Sequence, residues 1–286
     1  MLSRVISILN CFPHNGVLTK VTGKLLNYVQ NGPVKTRYGF VIDFRKTGKF
    51  ATSLRKEVII GNYERPYFFM IKRLINPGDY VVDVGAHEGY VSLWMAKIVG
   101  GGGQVFSVEP NPENINFLNR NVRLNQAQNV EIIQKAISNQ KNIANFYCQP
   151  DQGAWGSLNR FSYFDAGKKI EVETDTIDTL FGNLKRLNFM KVDTEGNELN
   201  VFMGAKEVLQ NYKPIICFEV SLTFWSYFER SVDSLLNLLR DYGYQLFVLK
   251  GAYLREYTWL NERIINIFAL HPCRVSNELI KRVIKY

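Results

Sequence analysis

Short unbroken apolar runs, each ending near a glycine or an acidic residue, recur along this chain and alternate with amphipathic stretches. The runs at residues 80–82, 104–108, 130–137, 187–192 and 214–220 are rich in Val, Ile and Phe. A strand covered on both faces reads as a continuous apolar run, so these predict parallel strands inside a layered α/β fold. Helical periodicity fills the gaps at residues 62–74, 90–99, 111–125, 197–212 and 232–242. The third begins with Asn111 as a cap and Pro112 at its first position. The last two runs, 244–250 and 264–270, have no helical pattern between them, which predicts an antiparallel closing pair. The fold class is therefore an α/β, Rossmann-like doubly wound sheet, mostly parallel, with an antiparallel hairpin edge. Two further strands are predicted around residues 143–157 and 170–174. Residues 34–52 alternate apolar and polar positions around Lys46-Thr47-Gly48-Lys49, the pattern of a β-hairpin set before the main domain. The expected division is a basic extension over residues 1–60 and an α/β domain over 61–286.

The chemistry concentrates where strands end. The stretch YVVDVGAHEG, residues 80–89, carries a buried strand into Asp83 and then a turn through Gly85, Ala86, His87 and Gly89. Glycine there lets a backbone approach a ligand and leaves helix N-terminal N–H groups available to it. An ordinary strand-turn-helix would use the same glycines. Glu109 ends the next strand, about 20 positions on, where an acidic residue can hydrogen-bond both hydroxyls of a ribose. A nucleoside-bearing cofactor is thus expected. A dinucleotide fingerprint needs a second glycine to make room for pyrophosphate, and here that position is His87. S-adenosylmethionine (SAM), with an amino-acid tail and no phosphate, fits better than NAD. The candidate cofactor residues are Glu64, Asp83, Gly85, Ala86, His87, Gly89, Glu109, Asn111 and Ala136.

The run at 187–192 ends in Asp193-Thr-Glu-Gly-Asn-Glu198, and the run at 214–220 holds Glu219. In a doubly wound sheet the end of that fourth strand lies beside the end of the first, so Asp193 is expected to face the cofactor. A carboxylate there could take a proton from a hydroxyl that attacks a methyl group. Asp193, Glu195 and Glu219 are the candidate catalytic residues, Glu198 fits a helix N-terminal charge, and no metal site is assigned although three carboxylates could hold a divalent ion. Trp155 and Ser157 fall in a loop that could cover the cleft.

Charge changes the picture mainly through its placement. Residues 1–60 hold ten basic against two acidic residues, a net +8 of the chain's +9. That excess suits solubility, an anionic membrane surface, or a phosphate- or lipid-linked substrate. The apolar stretch within residues 1–12 is too short to span a bilayer and reads as an amphipathic docking helix, so peripheral membrane contact through residues 1–60 is an expectation and a transmembrane helix is not. Nucleic acid is disfavoured, because no NPPY-like sequence for an extruded base is present and aromatics do not interleave with the basic residues. Four dispersed cysteines without a CxxC pair suggest neither zinc nor a disulfide framework, and a reducing cytoplasm is the simplest compartment.

Taken in order, VVDVGAHEGY, FSVEPNPEN, FMKVDTEGNE with FMGAKEVL, and PIICFEV resemble the FkbM family of SAM-dependent methyltransferases. The resemblance implies a seven-stranded class I methyltransferase fold and O-methylation of sugar, glycan or related hydroxyls. It also implies a cofactor turn at Asp83, Gly85 and Gly89, ribose binding by Glu109, and a reaction centre lined by Asp193 and Glu195. His87 departs from the family's common Asn. The first sixty residues lie outside the resemblance and are where acceptor choice is expected to reside. The competing reading is a non-catalytic protein that keeps the fold and docks on glycan or membrane, and a nucleotide-sugar dehydrogenase is disfavoured by His87.

Overall fold

The computed structural model describes residues 33–44, 57–58, 61–63, 65–148, 156–160, 167–221, 232–258 and 264–285. A small hairpin, β1 (Val34–Lys35) and β2 (Val41–Ile42), precedes helix α1 (Arg65–Leu74). Strands and helices then alternate as β3 (Tyr80–Val84), α2 (Tyr90–Val99), β4 (Gln104–Val108), α3 (Pro112–Leu124) and β5 (Val130–Ile133). Next come β6 (Ala136–Ile137), β7 (Asn142–Cys148), β8 (Gly156–Ser157), β9 (Lys168–Asp175) and α4 (Ile177–Phe181). The chain continues through β10 (Phe189–Val192), α5 (Glu198–Met203), α6 (Lys206–Asn211), β11 (Ile215–Ser221) and α7 (Val232–Asp241). It closes with β12 (Gln245–Lys250), β13 (Tyr253–Glu256), β14 (Ile264–Leu270) and α8 (Asn277–Val283).

The main sheet has the order β13-β12-β14-β11-β10-β3-β4-β5. Pairings among β11, β10, β3, β4 and β5 are parallel, and those joining β14 to β11 and β12, and β13 to β12, are antiparallel. Seven of these strands make the class I methyltransferase sheet, and β13 is an added edge strand that the sequence reading left without an element. The chain runs outward through β3, β4 and β5 and then returns to place β10 beside β3. The carboxyl ends of β3 and β10 therefore flank the switch point, where open α/β sheets bind ligands.

Alternate residues of each central strand feed two cores. Val82, Val84, Met190 and Ile216 face one layer, with α4 to α7, while Val81, Phe189, Ile215 and Cys217 face the other, with α1 and α2. Phe40, Ile42 and Phe44 of the hairpin region belong to the second core. Asn121 of α3 fastens that region like an extra strand: its Oδ1 accepts from the Asp43 N–H at 2.7 Å, and its Nδ2 donates to the Asp43 carbonyl at 3.1 Å. No described helix is long and apolar enough to cross a membrane.

Two predicted boundaries moved, and one hairpin turn is present that the pattern did not predict. The hairpin turns at residues 36–40, where the Thr36 N–H donates to the Phe40 carbonyl at 2.8 Å and Gly39 sits at φ 82°, while the expected turn at 46–49 lies outside the described residues. The strand expected over 130–137 breaks at Gln134-Lys135: β5 stays in the main sheet, and β6 joins β9 in a second sheet ordered β6-β9-β7-β8. The helix expected over 197–212 divides at Gly204, where a Cβ would come within 2.3 Å of the Ser138 carbonyl, so only glycine lets α5 end this close to the second sheet.

Candidate active site

The glycine turn is packed closely against the protein itself. Gly85 has φ 80°, and a Cβ there would lie 1.9 Å from the backbone oxygen of Asp193. The Asp193 N–H in turn donates to the Val84 carbonyl at 3.0 Å, so the exits of β3 and β10 are laced together. Gly89, at φ 89°, would press a Cβ to 2.4 Å from Leu118 of α3. His87 between them takes φ 52°. Among non-glycine residues Asn, Asp and His best tolerate this region, which accounts for a histidine where the resemblance shows Asn.

Glu109 organises the same loop. Its Oε2 accepts from the His87 N–H at 2.9 Å, and its Oε1 accepts from the Asn111 N–H and from Asn114 Nδ2, both at 3.0 Å. A carboxylate offers about four lone-pair sites, so these three protein donors fix its orientation and still leave it able to accept from a ligand hydroxyl. Asn111 caps α3, its Oδ1 accepting from the Glu113 N–H at 2.9 Å, and its Nδ2 lies 3.7 Å from Cys148 Sγ.

Behind the turn sits a charged relay that the sequence reading missed. Lys191 occupies the register position opposite Asp83 on the neighbouring strand. Its Nζ lies 3.4 Å from Asp83 Oδ1 and 3.2 Å from Asp193 Oδ2. Asp83 is fully buried and also accepts from Ser92 Oγ at 2.6 Å. The signal was a lone lysine within the otherwise apolar strand Phe-Met-Lys-Val, since a buried ammonium needs a paired carboxylate.

The three candidate carboxylates come together. Oxygens of Asp193, Glu195 and Glu219 lie within 4.8 Å of one another, near enough for one cation to be held among them. Burial, then the charges of Asp193 and Glu198, push the Glu195 carboxyl well above its usual range, with Lys191 opposing. Glu195 is also held at φ 53°. Its loop is fixed from two sides. Glu198 Oε1 accepts from the Thr194 N–H and hydroxyl at 3.0 Å each and from the Gly196 N–H at 3.1 Å. From the second sheet, Ser157 Oγ donates to the Glu195 carbonyl at 2.8 Å and Asn159 Nδ2 to the Gly196 carbonyl at 3.2 Å. Ser157 is thus a buried clamp on the reaction loop.

A cleft of about 560 Å³ runs through these groups. Gly85, Ala86, His87, Glu109, Lys135 and Ala136 line it together with Asp193, Glu195, Glu219, Ser221 and Asn266, and Phe44 and Tyr63 contribute aromatic wall. Of the sequence-predicted set, Asp83, Gly89 and Asn111 are absent from that lining and act from behind it. Glu64 and Trp155 lie outside the described residues. Lys135, at the break between β5 and β6, was not foreseen; its Nζ contacts the buried Asp175 at 2.6 Å. A cleft of this size accommodates a nucleoside-sized ligand. With a carboxylate at the β4 end and a side chain where pyrophosphate would pass, the residues fit a cofactor of SAM's shape.

The family model for the methyltransferase FkbM domain matches residues 83–246. No curated protein is matched by the sequence. Among solved structures, the chain is similar to methyltransferase FkbM from Methylobacillus flagellatus, at 14% identity over 88% of this chain and 59% of that one, TM-score 0.44. This chain thus spans less than two thirds of that protein. It is also similar to a SAM dependent methyltransferase from Aquifex aeolicus, at 16% identity over 71% of this chain and 88% of that one, TM-score 0.41. A third is precorrin-6y C5,15-methyltransferase from Geobacter metallireducens, at 15% identity over 73% and 88%, TM-score 0.40.

Proposed function

The chain belongs to the FkbM family of SAM-dependent methyltransferases, and we propose that it methylates a hydroxyl of a sugar, glycan or related polyol. SAM is its cofactor and supplies, when bound, a sulfonium methyl open to in-line attack. The protein's part is then to align the acceptor oxygen, exclude water and receive the proton. Asp193 is the proton acceptor in this reading: it lines the cleft, and Lys191 at 3.2 Å favours negative charge on it. Glu195, whose carboxyl is raised by burial and by its acidic neighbours, keeps its proton and donates a hydrogen bond to the acceptor. The two carboxyls would thereby divide the donor and acceptor work between them. Phe44 and Tyr63 offer aromatic surface to the apolar face of a sugar ring, and both precede the residues that match the family. Both positions support the reading that acceptor selection rests with the N-terminal part of the chain.

The observation that carries the reading is the carboxylate group at the ends of β10 and β11, set on the same cleft as Glu109. The test begins with calorimetric titration of S-adenosylhomocysteine, with NAD as control, followed by methyl transfer from labelled SAM to a panel of neutral glycans. Binding of the first ligand alone is expected. Asp193→Asn should then lower turnover by about 10²–10⁴-fold with cofactor affinity kept. Near-normal turnover by that variant would remove Asp193 as base, and label found on carbon or nitrogen would overturn O-methylation.

A further inference from the structure

The edge of the molecule built from α1, β13 and α8 carries a continuous strip of cations around two protruding aromatic rings. On α1, Arg65, Phe69 and Arg73 are spaced by four residues and Lys72 lies beside them, so one helical stripe presents all four. The opposite face of α1 buries Tyr67, Phe68, Met70, Ile71 and Leu74. Phe69 is 45% exposed, with the Arg65 guanidinium 5.7 Å from its ring centre. The stripe continues onto β13 and α8. Tyr253, 38% exposed, has Arg73 at 5.7 Å and Lys285 at 5.4 Å from its ring centre. Arg282 donates to the Arg73 carbonyl at 3.0 Å, and the Lys285 N–H donates to the Leu254 carbonyl at 3.0 Å. Arg255 shares the strand face of Tyr253, and Lys281 is exposed on α8. Among the described residues, seven basic ones thus stand on this face, with Glu256 and Glu278 as nearby acidic ones.

We propose that this face docks the enzyme on an anionic lipid bilayer, with Phe69 and Tyr253 at headgroup depth. Charge complementarity is one argument, because clustered Lys and Arg are attracted to anionic leaflets. The aromatic rings are the other. Exposed aromatics flanked by cations belong to the membrane–water interface, where an apolar body and a charged rim are both accommodated. Nucleic acid is the competing partner for a cationic face and is made an outcome of the test. None of its residues lines the cleft, and all of them follow residue 60 in the sequence.

The test is co-sedimentation of the full chain with vesicles of phosphatidylcholine alone and of phosphatidylcholine mixed equally with phosphatidylglycerol. The wild type should bind the mixed vesicles, lose binding as salt rises, and ignore the neutral ones. Lys72→Glu/Lys281→Glu/Lys285→Glu should weaken binding by at least about tenfold. The charge-matched control Lys141→Glu/Lys168→Glu/Lys206→Glu, at exposed positions elsewhere, should weaken it by less than about threefold. Phe69→Ser should weaken it several-fold without altering the salt dependence. Titration of S-adenosylhomocysteine, unchanged in every variant, certifies the fold and separates this result from the methyltransferase reading. Equal loss in the two triple variants, or no loss in either, would assign binding to general charge or to residues 1–60 and overturn the proposal. Tighter binding to duplex or single-stranded nucleic acid than to mixed vesicles, lost in the same α1/α8 triple variant, would overturn it as well.

Discussion

Lys191 Nζ lies 3.2 Å from Asp193 Oδ2 and 3.4 Å from Asp83 Oδ1, so one ammonium joins the cleft to a carboxylate sealed in the sheet. Asp193 has solvent to fall back on, with its side chain 31% exposed, whereas Asp83 has none. Removing the cation therefore strands Asp83. Lys191→Met should cost about 3–5 kcal/mol of stability, the range for breaking a buried pair by deleting one partner. Asp83→Asn made in the same protein should recover part of that loss, because the stranded charge is gone. Urea denaturation of both single variants and the double variant checks this, and strictly additive losses would separate the two residues energetically.

Lys135 and Asp175 form the second ion pair of the site region, at 2.6 Å. Burial alone would raise the Asp175 carboxyl, but the hydrogen bond and charge of Lys135 and the Thr176 N–H reverse this, and the carboxyl sits below its ordinary range. The hydrogen bond that it donates to Asp175 holds the Lys135 ammonium above its own ordinary range. A depressed carboxyl stabilises the fold above its unfolded-state pKa of about 3.9 and loses that contribution as pH falls through the native value. A raised ammonium stabilises below about 10.5 and loses it at higher pH. The pair should thus be at full strength across the neutral range. Asp175→Asn should cost about 3 kcal/mol at pH 7, the low end for a buried pair because Lys135 is partly solvated. The difference from wild type should shrink below about pH 4, as measured by denaturation at both pH values.

The glycine turn separates two explanations for one residue. Sequence reasoning gave Gly85 to the cofactor, while the structure sets the Asp193 backbone oxygen 1.9 Å from where its Cβ would be. Gly85→Ala should therefore damage the fold as well as the cleft. It should cost more than the ~1–3 kcal/mol of backbone strain alone and weaken S-adenosylhomocysteine binding, because Asp193 must move. Gly251→Ala is the control: Gly251 also has positive φ, at 63°, but nothing lies within 4 Å of its Cβ position. It should show the strain cost alone. Thermal unfolding and calorimetry on the two variants would distinguish the explanations.

The central strands and the clustering of Asp193, Glu195 and Glu219 were legible because unbroken apolar runs and strand-end carboxylates are local signals. What was illegible depends on partners far apart in sequence. Lys191 reads as an interruption of its strand until β10 is set in register with β3, which brings Asp83 opposite it. Asn121 reads as an ordinary helix residue, yet its Nδ2 donates to the Glu88 carbonyl at 2.8 Å and to Asp43 of the hairpin region, coupling the glycine turn to the N-terminal segment. Lys135 looked like part of a strand and instead marks the point where the chain leaves one sheet for another. Strand β13 lacked a signal because its Tyr-Leu-Arg-Glu buries only Leu254.

Glu195 supplies the remaining prediction, because its environment penalises the ionised form. Burial raises its carboxyl first, the neighbouring Asp193 and Glu198 raise it further, and Lys191 offsets only part. A carboxyl raised in the native state binds its proton more tightly there than in the unfolded chain. Its contribution is fully present below the unfolded-state pKa of about 4.3 and is lost as pH rises through the native value. Glutamine has nearly the same shape, carries no charge and cannot lose a proton in this range. Glu195→Gln should therefore match the wild type in stability near pH 4 and exceed it at pH 8, where the wild-type residue is forced toward a partly desolvated charge among carboxylates. Cofactor affinity should be retained at neutral pH, while methyl transfer should fall wherever the acceptor depends on the Glu195 proton. Denaturation curves at the two pH values decide the matter: a stability difference independent of pH would mean that Glu195 titrates as an ordinary surface carboxyl, and the division of roles between it and Asp193 would have to be abandoned.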